Sequence, residues 1–130
     1  MTDTAIDAVA DRLFAAIAGS DLETVSQLFS PGVSVWHSGD SRDNDHRRSV
    51  KIIDWFIRTT AGRRYEILDR QLFDGGFVQQ HILHADAHSG ASIAMRVCIV
   101  IKVGTDGLIT RVDEYFDPAE MAALMSPAQS

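Results

Sequence analysis

The hydrophobic positions of this chain follow two periods, helical in the first half and alternating in the second. Residues 4–18 place Ile6, Val9, Ala10, Leu13, Phe14 and Ile17 on one side and Asp7, Asp11 and Arg12 on the other. That spacing predicts an amphipathic surface helix, ended by Gly19. SDLE, residues 20–23, matches a capping box in which Ser20 caps and Glu23 reaches back, opening a short second helix with Leu22, Val25, Leu28 and Phe29 on one stripe. Ser30, Pro31 and Gly32 stop it. VSVWHS, 33–38, is β-branched and aromatic and predicts a strand. The polar run GDSRDND is a loop whose end caps a third helix, roughly Asp45 to Thr59. Its Val50, Ile52, Ile53, Trp55, Phe56 and Ile57 form an apolar surface broad enough to imply burial on more than one side.

From Arg64 the period is two. Strands at about 64–73, 77–86, 91–103 and 107–116 are separated by DGG, HSG and TDG, turns of the kind that join antiparallel neighbours. Helices followed by a meander, without βαβ alternation, indicate an α+β fold with helices on one face of a curved antiparallel sheet. Pro118 suits the start of a last helix, Ala119 to Met125, and the terminal SPAQS is expected to fray. In 91–103 the odd residues Ile93, Met95, Val97, Ile99, Ile101 and Val103 are all apolar and define the core face. In 107–116 the even face carries Leu108, Thr110, Val112 and Phe116, and with them a carboxylate, Glu114. Strand 77–86 is undecided, because Gln79 and His81 share a face with Phe77, Leu83 and Ala85, while Gln80 and His84 share the other with Val78 and Ile82.

The 130 residues suit one domain with a true core. A hydrophobic share of 45% and a charged share of 23% are ordinary for a soluble globular chain. The net charge of -6 argues against nucleic-acid binding, which depends on excess Lys and Arg. Cys98, the single cysteine, cannot form an internal disulfide and is expected to be a small buried hydrophobe. The N-terminus lacks a basic leader pattern and the longest apolar run, VCIVI, is too short to span a membrane, so no membrane association and a cytoplasmic location are expected.

The order of three helices and a long meander, VSVWHS after the SPG break, and above all DGLITRVDEYFDPAEMAAL resemble the nuclear transport factor 2-like superfamily in its SnoaL-like, polyketide-cyclase-like branch. Ketosteroid isomerases and limonene-1,2-epoxide hydrolases belong to the same superfamily. The resemblance covers nearly the whole chain. It implies a conical half-barrel, with three N-terminal helices packed on a strongly curved sheet, an open end leading into an apolar cavity, and a homodimer. Glu114 matches an acidic position of the epoxide hydrolases' Asp-Arg-Asp site. The other two members fall at about Gln79 and His81, so the Arg is absent and the second Asp is His. Trp36 and Ser38 match positions of a Tyr and an Asn around the hydrolases' water. The isomerases' general-base Asp corresponds to about Ser38 and their oxyanion Asp to about Ile99, and both are missing.

His81 and Glu114 are therefore the candidate catalytic pair. Desolvation raises a carboxyl pKa and a nearby carboxylate raises that of His, so the two could exchange protons near neutral pH. Ser38 and Gln79 would orient substrate or water, and Trp36, Met95, Val97, Ile99 and Phe116 would form walls around a small apolar or cyclic molecule. No cofactor and no metal are expected. The structural alternative makes Glu114 a hydrogen-bonded buried group and His81 a wall residue in a noncatalytic binding or interaction module. Other patterns carry less. WHSGD sets Trp36, His37, Ser38 and Asp40 together, but strand neighbours point to opposite faces, which opposes a His37–Ser38 nucleophile pair. His81, His84 and His88 lie on opposite strand faces or in a turn, which opposes a metal site. Arg47, Arg48, Arg58, Arg63 and Arg64 suit a solvated helix end rather than a nucleic-acid patch.

Overall fold

In the computed structural model, which describes residues 1–125, Thr2 caps the first helix, α1 (Asp3–Ala18), its hydroxyl accepting from Ala5 N–H at 3.1 Å. The predicted end SPAQS lies outside the described residues. The apolar stripe of α1 is buried from Ile6 to Ile17, and Gly19 closes the helix. Ser20 is spent on the turn: it takes a left-handed φ of 62°, and its hydroxyl accepts from Arg63 Nη2. It therefore cannot cap the next helix. Asp21 does so, its carboxylate accepting from Thr24 N–H at 3.2 Å and from the Thr24 hydroxyl at 2.6 Å. The cap expected at Ser20 is thus displaced by one residue, and Glu23, expected to reach back, instead accepts from Gln27 Nε2 at 3.4 Å.

After α2 (Leu22–Leu28) comes β1 (Phe29–His37), which begins earlier than its apolar pattern suggests. Ser30, Pro31 and Gly32 do not break the chain but fall within a register shift of this edge strand, where a missing N–H costs no ladder bond. Helix α3 (His46–Thr59), capped by Asp45, precedes β2 (Thr60–Phe73), β3 (Gly76–Ala87), β4 (Ser92–Val103) and β5 (Ile109–Tyr115). A 3₁₀ turn, Pro118–Met121, leads into α4 (Ala122–Met125). Strands β2 to β5 form the antiparallel meander, and β1 joins β5 in parallel, giving the order β1-β5-β4-β3-β2 in a curved, unclosed sheet. This is the α+β cone expected.

The odd face of β4 is buried throughout, from Ile93 to Val103. Strand β3 resolves the same way: Phe77, Gln79, His81, Leu83 and Ala85 face inward. In β5 the even face holds only from Val112 onward. A register shift beside Val103 skips Thr110, leaving it exposed and burying Ile109 instead. Helix α3 departs from the expected two-sided burial, since Ile52, Ile53, Trp55 and Ile57 stay half-buried. Ile52, Ile53 and Trp55, together with buried Phe56, border an open cavity, which explains an apolar face that no neighbour covers. Cys98 is only half-buried. Among the described residues no helix is long and apolar enough to cross a membrane, and no group of three or more His, Cys, Asp or Glu could hold a metal ion.

Candidate active site in the cone

Strand β1 ends at His37, and the chain turns back through Ser38, Gly39 and Asp40, closed by Asp40 N–H donating to His37 O at 2.9 Å. Gly39 has a φ of 96°, where a side chain would be strained. The turn brings the Asp40 carboxylate beneath the imidazole it follows. Asp40 Oδ2 accepts from His37 N–H, His37 Nδ1 and Asn44 Nδ2, each at 2.9 Å. Burial pulls the Asp40 carboxyl up, but these hydrogen bonds outweigh it and hold it below the ordinary range. An ionised carboxylate only accepts, so in the neutral imidazole the proton of His37 lies on Nδ1 and the lone pair on Nε2. Asp40 itself is fixed, its carbonyl accepting from Trp36 Nε1 at 3.0 Å, while Asn44 Nδ2 also ties to Val35 O at 3.0 Å.

The parallel pairing of β1 with β5 sets His37 opposite Glu114, and His37 Nε2 stands 3.9 Å from Glu114 Oε1. That is an electrostatic contact but too long for a hydrogen bond. Burial pushes the Glu114 carboxyl above its ordinary value, against the charge of His37 and reinforced by that of Asp40. Both groups line a cavity of about 460 Å³. Its walls are otherwise largely apolar and aromatic, with Leu13 and Phe14 from α1, Trp55 and Phe56 from α3, and Met95 and Ile99 from β4. Tyr65 of β2 closes the far side, and among the described residues no Lys or Arg lines the space.

Of the residues the sequence singles out, Glu114, Ser38, Met95, Ile99 and Phe116 line this cavity. The Ser38 hydroxyl accepts from Phe116 N–H at 3.0 Å, and Ser38 N–H donates to Glu114 O at 3.0 Å, so Ser38 also ties the end of β1 to β5. Trp36 does not line it. Strand alternation sends its ring to the outer face, where it meets Tyr115 at 5.2 Å between centroids. Val97 is buried in the core without reaching the cavity.

His81 and Glu114 are not brought together. β4 lies between their strands, which separates the backbones by about 10 Å. His81 is fully buried, its Nδ1 faces Gln79 Nε2 at 2.9 Å, and its Nε2 has no hydrogen-bond partner. Its ring lies edge-on to Phe14 and Tyr65, at 5.4 and 5.1 Å, so those two aromatics stand between it and the cavity. Burial, with the charge of Arg70 adding to it, lowers the His81 pKa to about 4. Gln79 is equally buried, its Oε1 accepting from Arg70 Nε at 2.8 Å. Arg70 Nη1 in turn reaches Asp7 at 2.7 Å and Asp11 at 2.8 Å, pinning α1 to the sheet. The proton exchange expected of His81 and Glu114 therefore has no direct path, and Glu114 faces His37 instead.

His37 and Asp40 are the members that strand reasoning passes over. Alternation carried through Ser38 sets His37 on the opposite face from Ser38, whereas the strand stops at His37 and the following Ser-Gly turn folds Asp40 back. The available signal was H-x-x-D across a Ser-Gly turn, and nothing in the sequence joined it to Glu114.

A family model for the SnoaL-like domain matches residues 10–112, and the chain belongs to this family. No curated protein matches it by sequence. Among solved structures it is similar to PrhC from Penicillium brasilianum NBRC 6234, with a TM-score of 0.83, 16% identity, and 96% and 88% of the two chains covered. An LEH-like epoxide hydrolase from M. tuberculosis aligns with a TM-score of 0.75 and 21% identity over 93% of this chain and 89% of that one. A chain from Shewanella denitrificans OS-217, described as a SnoaL-like polyketide cyclase, gives 0.80 and 12% over 95% and 98%. At these identities the likeness is one of fold.

Proposed function

We propose that this protein binds a small, neutral, largely apolar cyclic molecule in the cone and moves a proton on it without a cofactor. His37 Nε2 is the base and Glu114 the acid. The observation that carries this reading is the line Asp40–His37–Glu114 in a cavity that is otherwise nearly all hydrocarbon and aromatic. Asp40 fixes the imidazole with its lone pair toward the cavity and stabilises the imidazolium once a proton is taken. Glu114, with its carboxyl raised, keeps its proton to higher pH than an exposed carboxyl does. A carbon acid lying in the cavity against both groups would lose its C–H proton to His37, send the electron pair toward its carbonyl, and receive a proton on that oxygen from Glu114. Enolisation and aldol-type ring closure have that form. The fold shared with proteins described as a polyketide cyclase and an epoxide hydrolase supports a ligand-binding or cyclase-like role.

Assembly as a homodimer through the outer sheet face fits the half-buried Val78, Ile82, Cys98 and Val100 beside the Trp36–Tyr115 pair. The test of the chemistry uses 2-tetralone, a neutral bicyclic ketone, whose α-proton exchange in D₂O is followed by NMR. Wild-type protein is expected to accelerate exchange over buffer, and His37→Gln to lose about 100-fold or more of that acceleration. Binding without acceleration would leave the noncatalytic binding module as the correct reading.

A further inference from the structure

Among the polar groups of the cavity wall that this chemistry does not use is the hydroxyl of Tyr65. Its ring is held firmly, packed against Phe14 at 5.0 Å and against the edge of His81 at 5.1 Å between centroids. Yet among the described residues the hydroxyl has no hydrogen-bond partner, and it is not sealed in the core, since Tyr65 lines the cavity. A buried or half-buried phenol usually finds a partner, so an unpaired one facing an apolar space is a donor in want of an acceptor. Its neighbours along the rung, Leu83 on β3 and Met95 on β4, also line the cavity and offer it no side-chain oxygen. Burial and the charge of Glu114 both push the phenol up, so it stays protonated and available to donate.

Position gives the hydroxyl its meaning. β1 and β2 are the two edges of the sheet, and curvature brings them to opposite walls of one cavity. His37 lies on one edge strand and Tyr65 on the other. We infer that Tyr65 is a specificity-determining anchor that donates a hydrogen bond to a second oxygen of the ligand, a carbonyl at the end remote from the group facing His37 and Glu114. The inference rests on the reading of this cavity as a ligand site and narrows its substrate class. The molecule is neutral and carries an oxygen function at each end. A carboxylate or phosphate at the remote end is disfavoured, because no Lys or Arg among the described residues lines the wall to meet it and the ionised Asp40 adds only negative charge to the cavity.

The experiment is a two-by-two cycle by isothermal titration calorimetry with decalin-2,6-dione and 2-decalone, which differ by one remote carbonyl, against wild-type protein and Tyr65→Phe. Phenylalanine keeps the ring contacts, and thermal melting checks that the variant is folded. Wild type is expected to prefer the dione by about 10-fold, as one net hydrogen bond would give, and Tyr65→Phe to abolish that preference while holding 2-decalone as wild type does. A preference unchanged in Tyr65→Phe overturns the anchor alone. Failure of wild type to bind either ketone overturns the ligand-site reading and the anchor with it.

Discussion

His37 and His81 stand on the same concave surface of one sheet, and their surroundings make them different residues. His37 ends an edge strand, is oriented by an ionised carboxylate through Nδ1, and turns its other nitrogen to an open cavity and Glu114. His81 sits in the middle of β3 with no exposed surface, tied to Gln79 and, through it, to Arg70, behind the aromatic wall of Phe14 and Tyr65. One opens on the cavity, where the proposed chemistry needs a base, and the other is kept neutral by burial and a neighbouring cation. A histidine on a cavity-facing strand is thus not yet a base. What decides is whether the ring reaches the cavity and which group holds its other nitrogen.

The largest expected contrast comes from removing each ring in turn. His37→Gln is expected to cost two to four orders of magnitude in proton exchange on 2-tetralone and to leave the melting temperature nearly unchanged. His81→Leu is expected to do the reverse, losing about 1–3 kcal/mol of stability because the buried Gln79 amide is left unpaired, with exchange per folded molecule retained. Denaturant unfolding beside the exchange assay reads both. A smaller effect tests how His37 is held. Asp40→Asn can no longer demand a proton on Nδ1, so exchange is expected to fall by about 10-fold to 100-fold with little change in binding of 2-tetralone.

The smallest effects are in the pH dependence of stability, and the two sites should bend it in opposite directions. The His81 pKa is about 4 folded against 6.5 unfolded, so its contribution is present above about 6.5 and lost as pH falls toward 4. His81→Leu should flatten that part of the curve. The Glu114 carboxyl is raised on folding, so its contribution is present at acid pH and lost as pH rises past the ordinary carboxyl range. Glu114→Gln should therefore raise the melting temperature at pH 7 relative to wild type and lose that advantage at the acid end.

Much of the fold could be read directly, because the odd face of β4 and the stripe of α1 are uninterrupted apolar series that only one burial pattern satisfies. What could not be read depended on single-residue backbone choices. The left-handed Ser20 moves a helix cap by one position, and a skipped Thr110 reverses the start of β5. The candidate site suffered most. Glu114 stood out as a carboxylate in an apolar alternation, but its neighbour is supplied by a parallel pairing between strands 76 residues apart near their ends, as the Ser38–Glu114 link shows, and no periodicity encodes that. Gln79 and His81 stand out equally as polar residues on a core face. Only the Asp7–Arg70–Gln79 chain, which joins α1 to β2 and β3, reveals that they are interior structure.

The most direct test of this division is the ¹⁵N NMR spectrum of the histidine rings at pH 7, recorded before and after addition of 2-tetralone. Neutral His37 is expected to carry its proton on Nδ1, and its Nε2 signal to move on ligand addition while both His81 nitrogens stay in place. A spectrum in which the His81 signals move and those of His37 do not would contradict that, and would return the chemistry to the buried side of the wall.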